Sequence, residues 1–445
     1  MIATADDGHQ TRTGAPRYLW RAIVHPYAAV VLCGILIIVP YFFDASLTFL
    51  FKPFVRFASI SEHLLISSSL IGTMALGVAC GLWLSRTVPR SEIARRVRFY
   101  RSDMALLLFG GLLAIALLMS VVKIGSGFSS LGTSVYAARA SVRDLGGTAV
   151  LGNLFTIALP ATLLLLQLRG VRIGIIAIGA FGLIALSGFA ISERLTILEG
   201  LICLIVFIGL FQPHVIRVRT VAIMGVLCVL LFGANLVMRT LPMLPPALQD
   251  KVITLLPEIV ASTLGSYYSD PVNKLYYQML VPYRGGSLGD EQFFMAAPRQ
   301  IIGRLTGEPV GIKQGHVKYS AGTGTFTDLD SLGGRDVKLT NPGGPSQDFS
   351  DFGWWIYAIV FLKFLVFARI YRAAAGLHPL AVAVYPLFAI AAWDYPRLNY
   401  LYEVRGVIPL LLALMFIPLA MYLEGLQARK AGPRAHAAPA PAARA

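Results

Sequence analysis

Apolar residues run through this chain in blocks rather than in alternation. Stretches of about 17 to 23 mostly hydrophobic residues recur from residue 22 onward, each long enough to cross the hydrocarbon core of a bilayer as an α-helix. Ten can be placed, at roughly 22–43, 63–84, 103–122, 148–168, 172–190, 195–211, 220–238, 353–371, 378–393 and 404–423. The pattern predicts an all-α, multi-pass transmembrane helical bundle. Spans one to seven occupy 1–238, a large loop 239–352, spans eight to ten 353–423, and a polar tail 424–445.

Basic residues fix the phase. The segment "SRTVPRSEIARRVRFYRS" holds Arg86, Arg90, Arg95, Arg96, Arg98 and Arg101, and loops rich in Lys and Arg stay in the cytoplasm. With this loop inside, Arg169/Arg172, Arg217/Arg219 and Arg369/Arg372 also fall inside, both termini are cytoplasmic, and 239–352 becomes a loop on the far side. A loop of that length is too long for a passive connector. Within it "LQDKVITLLPEIVAST" and "DEQFFMAAPRQIIGRL" read as helices, the second with an apolar face suited to a membrane surface, while 305–347 is rich in Gly, Thr and Pro.

Composition narrows the classes further. The chain is 56% hydrophobic and 14% charged, whereas soluble domains carry about 25% charged residues. Its formal charge of +15 follows the alternation of membrane loops, so nucleic acid is not an expected partner. Cys33, Cys80, Cys203 and Cys228 all lie in apolar blocks and read as small core residues. No cleavable signal pattern is expected at the N-terminus, and the Ala/Pro-rich end "RKAGPRAHAAPAPAARA" reads as a disordered cytoplasmic tail. No metal, nucleotide or other cofactor is expected. There is no metal-ligand spacing or phosphate-cradling loop, and Asp328, Asp330 and Asp336 lack the order of a calcium loop.

Polar residues in or beside the spans mark candidate chemistry. Glu199 in span six and Lys363 in span eight are costly there unless paired or functional. Their depths differ by about one helical turn, so the expectation is an ion pair between them. Arg194 lies at the far-side turn "SERLTILEG" and reads either as an interfacial anchor or as an anion ligand. Arg139 and Arg143, four apart in "YAARASVRD", share a helix face with Tyr136 nearby. The large loop adds Arg284, Arg299 and His316, the last being the only histidine that this placement of spans puts on the far side and a candidate base. The last far-side loop adds Arg397 and Arg405 beside Asp394 and Glu403.

The segment "NPGGPSQDFSDFGWW" closes the large loop with Asp348 and Asp351 at the lip of an apolar span. One reading is a turn before a helix, with Asp351 as its N-cap and the tryptophans as interface anchors. The other is catalytic. Arginine forks suit phosphate oxygens. A lipid-linked diphosphate sits at this height, and a sugar hydroxyl displacing it needs a base and a charge-stabilised leaving group. On that reading the aspartates face the sugar, and Gly343, Gly344 and Gly353 admit substrate to the backbone.

These features are similar to those of the O-antigen and exopolysaccharide repeat-unit polymerases (Wzy-type), related in plan to the O-antigen ligases. The likeness covers the span pattern with one large late loop, and the stretches "YAARASVRD", "SERLTILEG", "APRQIIGRLTGEP" and "NPGGPSQDFSDFGWW". Two departures are Glu308-Pro309, where the family has Lys-Pro, and Trp355-Ile356, where it has a glycine. The resemblance implies a GT-C-like helical fold in the bacterial inner membrane with a periplasmic loop. It implies transfer of a growing glycan from undecaprenyl diphosphate to a lipid-linked repeat unit, alongside a flippase and a chain-length regulator. It places Arg139, Arg194 and Arg299 on the diphosphate or glycan, and Asp351 at the reaction. A ligase that moves finished polymer to a lipid core is the nearest alternative. A transporter of anions fits less well, because no internal symmetry is visible.

Overall fold

Nine of the ten apolar blocks coincide with helices. The computed structural model describes residues 21–43, 58–131, 147–191, 193–212 and 343–430, with scattered single positions between 226 and 302. In chain order the helices are α1 (Pro26–Phe43), α2 (Ile60–Trp83), α3 (Arg90–Arg101), α4 (Gly111–Leu131), α5 (Thr148–Gly152), α6 (Phe155–Leu168), α7 (Gly174–Ala190), α8 (Arg194–Phe211), α9 (Gly344–Phe352), α10 (Ile356–Ala375), α11 (Pro379–Trp393) and α12 (Val404–Lys430). A π-helical turn, Leu106–Gly110, leads into α4, and 3-10 turns occupy Gly353–Trp355 and Tyr400–Tyr402. Among the described residues there is no strand.

Six of these rods are long and apolar enough to cross a membrane: Ile60–Trp83, Asp103–Ser129, Val150–Leu168, Arg194–Phe211, Gly353–Ala375 and Val404–Gln427. Three more, Pro26–Val39, Gly174–Ala190 and Pro379–Trp393, are apolar but shorter. The protein is thus a helical membrane protein. The predicted span at 220–238 and most of the 239–352 loop lie outside the described residues. The tail expected to be disordered from 424 begins as helix, because α12 continues to Lys430.

The middle of the bundle follows from which helices are apolar all round. Every residue of α6 from Phe155 to Leu165 is buried, as are most of α11 and the inner face of α8, as expected of helices without a polar side. Peripheral helices turn apolar side chains outward instead, with Leu65, Leu107, Ile175, Leu362 and Met415 all exposed. Outward leucine and isoleucine are stable in lipid, not in water.

Helix directions come from the contacts. Ser69 of α2 meets Tyr357 of α10, and a Cβ on Gly77 or Gly81 would strike the carbonyl of Phe361 or Leu365 at 2.5 Å. Hence α2 and α10 run parallel, joined by a small-xxx-small seam that lets the backbones touch. Gly81→Val should lower thermal stability in detergent by about 1–3 kcal/mol, while Gly72→Val, with nothing near its Cβ, should change little. Equal effects would refute the seam. α11 returns antiparallel, stacking Tyr385 on Phe367 at 5.5 Å. α1 runs beside it, with Cys33 Sγ donating to the Ala392 carbonyl at 2.9 Å.

Two chemically distinct ends result. At one, Arg96 donates to the Gly376 carbonyl at 2.7 Å, Arg101 to Leu168 at 3.2 Å and Arg169 to Ser102 at 2.6 Å. The arginine-rich segment, the 168–173 turn and the 376–378 turn are therefore sewn together there. The other end holds the first turns of α2, α8, α10 and α12, the last turns of α4, α7 and α11, and all of α9. The site lies there. α8 finishes at the arginine-rich end, and α9 begins at the opposite one.

Candidate functional site

The segment after α11, "DYPRLNYLYEVR", organises this end. Residues 394–403 form a strap rather than a helix, and its polar side chains point in two directions. On one side they converge on Asp348, a fully buried residue of α9. Lys363 Nζ donates to both Asp348 oxygens at 2.6 and 2.7 Å. Tyr395 donates to Oδ2 at 2.6 Å, and Tyr402 and Asn399 donate to Oδ1 at 2.7 and 2.9 Å. Five donated bonds leave a carboxylate little capacity for more. Burial, and then the charge of Asp348, push the Tyr395 and Tyr402 phenols well above the usual range, so both stay protonated donors. Asp348 is therefore a fastening point for the strap.

The adjoining glycines serve the same junction. Gly343 adopts φ +82, and a Cβ there would lie 2.3 Å from Pro271 Cβ. A Cβ on Gly344 would lie 2.3 Å from the Tyr395 carbonyl, to which the Gly344 N–H itself donates at 3.1 Å. These glycines let protein backbones approach each other, which corrects the expectation that they make room for substrate. Gly353, at φ +56, separates α9 from the 3-10 turn where Trp354 and Trp355 stand exposed.

On its other side the strap meets a second charged cluster. Tyr400 donates to Glu199 Oε1 at 2.8 Å. Arg405, opening α12, donates to Glu193 at 2.5 Å and lies 3.7 Å from Glu199 Oε1. Glu193 also accepts from Thr196 at 3.1 Å. Lys123, near the end of α4 and only 1% exposed, lies in the field of both glutamates and of Arg405. It is housed by α5, because a Cβ on Gly152 would stand 2.6 Å from its Nζ. α8 supplies Glu199 one and a half turns below Arg194, or about 7–8 Å deeper along the axis.

Glu193 sits in the turn before α8, outside the spans. Burial pushes its carboxyl up, but Arg405 and Lys123 outweigh this and hold it at about 2. A carboxyl depressed in the folded state contributes stability above its unfolded pKa, near 4.3, and loses it as pH falls through the folded value. The stability gap between wild type and Glu193→Gln should therefore be full at pH 7 and shrink between about pH 4.5 and 2. Thermal unfolding in detergent across that range measures it, and a gap that widens on acidification would refute the assignment.

The structure redistributes the sequence-derived candidates. Arg139, Arg143, Tyr136, Arg284, Arg299 and His316 lie outside the described residues. Asp351 is buried at 6% exposure in the last turn of α9. It is not an N-cap, because the polar segment 344–352 is itself helical and α10 starts only after Trp355. Asp351 lies close enough to Lys363 and Tyr402 to act on their charges. Arg194 is half-buried at the start of α8, next to the cluster in the chain. Arg397 forms an ion pair with Asp394 three residues earlier.

The expected Glu199–Lys363 pair does not form. Each has a different partner, Arg405 and Asp348 respectively, because the strap wedges between α8 and α10. Lys123 escaped attention since the predicted span stopped at 122, just short of it; α4 runs on to Leu131. His63, at the first position of the predicted span 63–84, was passed over because nothing local in the sequence marks its partners. It lies in the first turns of α2, stacked on Tyr41 at 4.1 Å and bonded through Nδ1 to Tyr276 Oη at 2.5 Å. His63 thus lies at the same end of the bundle as the site, and the bond fastens Tyr276, from the 239–352 segment, onto α2.

Two charged clusters joined by one strap, with Asp351 beside Lys363 and Tyr402 and a rim of protonated tyrosines, can bind an anion and accept a proton. A cavity of about 40 Å³ lined by Phe364, Phe367, Phe388, Ala391 and Leu401 opens beside Lys363 and Asn399. Among the described residues no three His, Cys, Asp or Glu side chains converge on a metal position. Comparison of the chain with protein-family models, curated proteins and solved structures finds no match in any of the three.

Proposed function

We propose that the protein is a membrane glycan polymerase, a polyprenyl-diphosphate-dependent glycosyltransferase of polysaccharide biosynthesis. In this reading the growing chain leaves undecaprenyl diphosphate and joins a lipid-linked repeat unit on the periplasmic face of the bacterial inner membrane. The acceptor hydroxyl attacks the anomeric carbon, a new C–O bond forms, and the bond from that carbon to the diphosphate oxygen breaks with its electrons leaving on the phosphate. Asp351 takes the hydroxyl proton, and Arg194 and its neighbours stabilise the leaving group.

One observation carries the reading. Buried carboxylates and cations gather at the bundle end opposite the arginine-rich loops, where a lipid headgroup meets helix ends. By the positive-inside rule the arginine-rich end is cytoplasmic, which places both termini inside and the 239–352 loop in the periplasm. Cysteine labelling from either side tests that orientation. Activity is tested with purified protein in liposomes and a lipid-linked repeat unit. Lengthened glycan on the carrier supports polymerisation, and loss of the protein from cells should leave single repeat units. Long carrier-linked polymer in such cells would instead identify a ligase, and movement of substrate without elongation a transporter.

A further inference from the structure

Lys123, Glu193, Glu199 and Arg405 form a group that neither the aspartate chemistry nor the predicted arginines account for. They come from four places in the chain: α4, the α7–α8 turn, α8 and the start of α12. Glu199 is 0% exposed, yet its Oε2 makes no hydrogen bond among the described residues. Nor does Nη1 of Arg405, whose distance to Glu199 Oε1, 3.7 Å, is too long for one. Leaving buried charged atoms undersatisfied is costly, so a cluster built only for stability would close these gaps.

Space is also kept for the ammonium. Gly152 is the residue against which Lys123 Nζ rests, and any side chain there would displace it. Gly406 does the same for the strap, because a Cβ would meet the Tyr400 carbonyl at 2.5 Å. The Arg405 and Glu193 side chains retain 26% and 24% exposure while Glu199 is fully covered, so the Arg405–Glu193 pair is the part of the group reachable from outside. Lys123 and Arg405 thus stand among Glu193 and Glu199, with Arg194 on the residue adjoining Glu193 and Glu403 also acting on Arg405.

We propose that Arg405, backed by the buried charge of Lys123, forms the seat of a pyrophosphoryl headgroup, with Glu193 and Glu199 as resident counter-anions that occupy the guanidinium until the headgroup arrives and limit how tightly it is then held. This rests on the lipid-diphosphate reading above and names where that group binds. A weakened grip has a use, because a leaving group held too firmly blocks the next turnover. The counter-anion role makes a claim opposite to that of a structural salt bridge: neutralising a buried glutamate should strengthen binding of the ligand while weakening the fold.

The test uses the full-length protein in detergent and farnesyl diphosphate as a short prenyl diphosphate, with inorganic pyrophosphate and farnesol as separate arms. Affinity is read by calorimetry. Glu193→Gln is expected to tighten farnesyl diphosphate binding by about threefold to tenfold, and Lys123→Gln and Arg405→Gln to weaken it by about tenfold or more. Gly152→Ala, acting only through the position of Lys123, should weaken it as well, and Arg405→Lys serves if the glutamine variant does not fold. Farnesol should be indifferent to all of these. Pyrophosphate should follow the same order as farnesyl diphosphate, the difference between them measuring what the lipid adds.

A Glu193→Gln variant that loses affinity together with Arg405→Gln would overturn the counter-anion role. Wild-type binding that none of the variants changes would place the headgroup elsewhere while leaving the glycosyltransferase reading intact. Failure of wild type to bind any diphosphate would remove that reading itself.

Discussion

Replacing Asp348 by alanine is expected to lower stability by about 3–5 kcal/mol, because it strands the Lys363 ammonium among apolar and phenolic neighbours. Asp348 is completely buried and Lys363 retains 24% side-chain exposure, so water can reach the lysine partly and the loss should fall near the lower end of that range. Four donors lose their common acceptor in the same step. The strap from 394 to 403 is then no longer pinned to α9. The double variant Asp348→Asn with Lys363→Met should recover most of the loss, since removing both charges avoids the uncompensated one. Thermal unfolding of the two single variants and the double in detergent decides this. Strictly additive losses would mean that the pair is not coupled and that the geometry around Asp348 is not what holds the strap.

The second large effect concerns Asp351, three residues further along the same helix. Asp351→Asn should reduce glycan transfer in liposomes by about a hundredfold or more, the usual cost of losing a positioned base, while protein level and unfolding temperature stay near wild type. Asparagine keeps the shape and most hydrogen bonds but cannot accept the proton. The contrast with Asp348 is the informative part. One carboxylate is saturated by five donated bonds and fastens the strap. The other lies beside the same lysine and tyrosine without being consumed by them in that way. A parallel fall in abundance and activity for Asp351→Asn would make it a second fastening point and leave the reaction without its proposed base.

Both effects bear on how the strap links the clusters. Tyr395, Asn399 and Tyr402 face α9, while Tyr400 and Arg405 face α8. The strap thus joins the cluster at Asp348 to the one at Arg405. The Tyr276–His63 contact adds a third attachment at the same end, where Tyr276 packs on α2. Substrate sites on loops require such anchoring if the loops are to hold a reacting geometry.

The sequence by itself determined the helical membrane class, the positions of nine apolar rods and the separation of an arginine-rich end from the rest. These are local or compositional properties: a long apolar block must satisfy its backbone hydrogen bonds internally, and only a helix does so within one segment. It also flagged Glu199 and Lys363 as costly residues in need of a reason, and Asp348 and Asp351 as acids at the lip of an apolar span. What it did not contain was their pairing. The depths of Glu199 and Lys363 differ by only about one helical turn, but depth says nothing about which way two helices face or what lies between them. The tertiary structure placed the 394–405 strap there and gave each its own partner. Lys123 was hidden by a helix extending past its apolar block, and the role of His63 by partners, Tyr41 and Tyr276, that are remote in the chain. The helical state of 344–352 was hidden by glycines that serve close backbone contact with Tyr395 rather than a turn. Charge partners are chosen by three-dimensional proximity in a low-dielectric interior, where an ångström changes the energy strongly, and that proximity is set by packing across the whole chain.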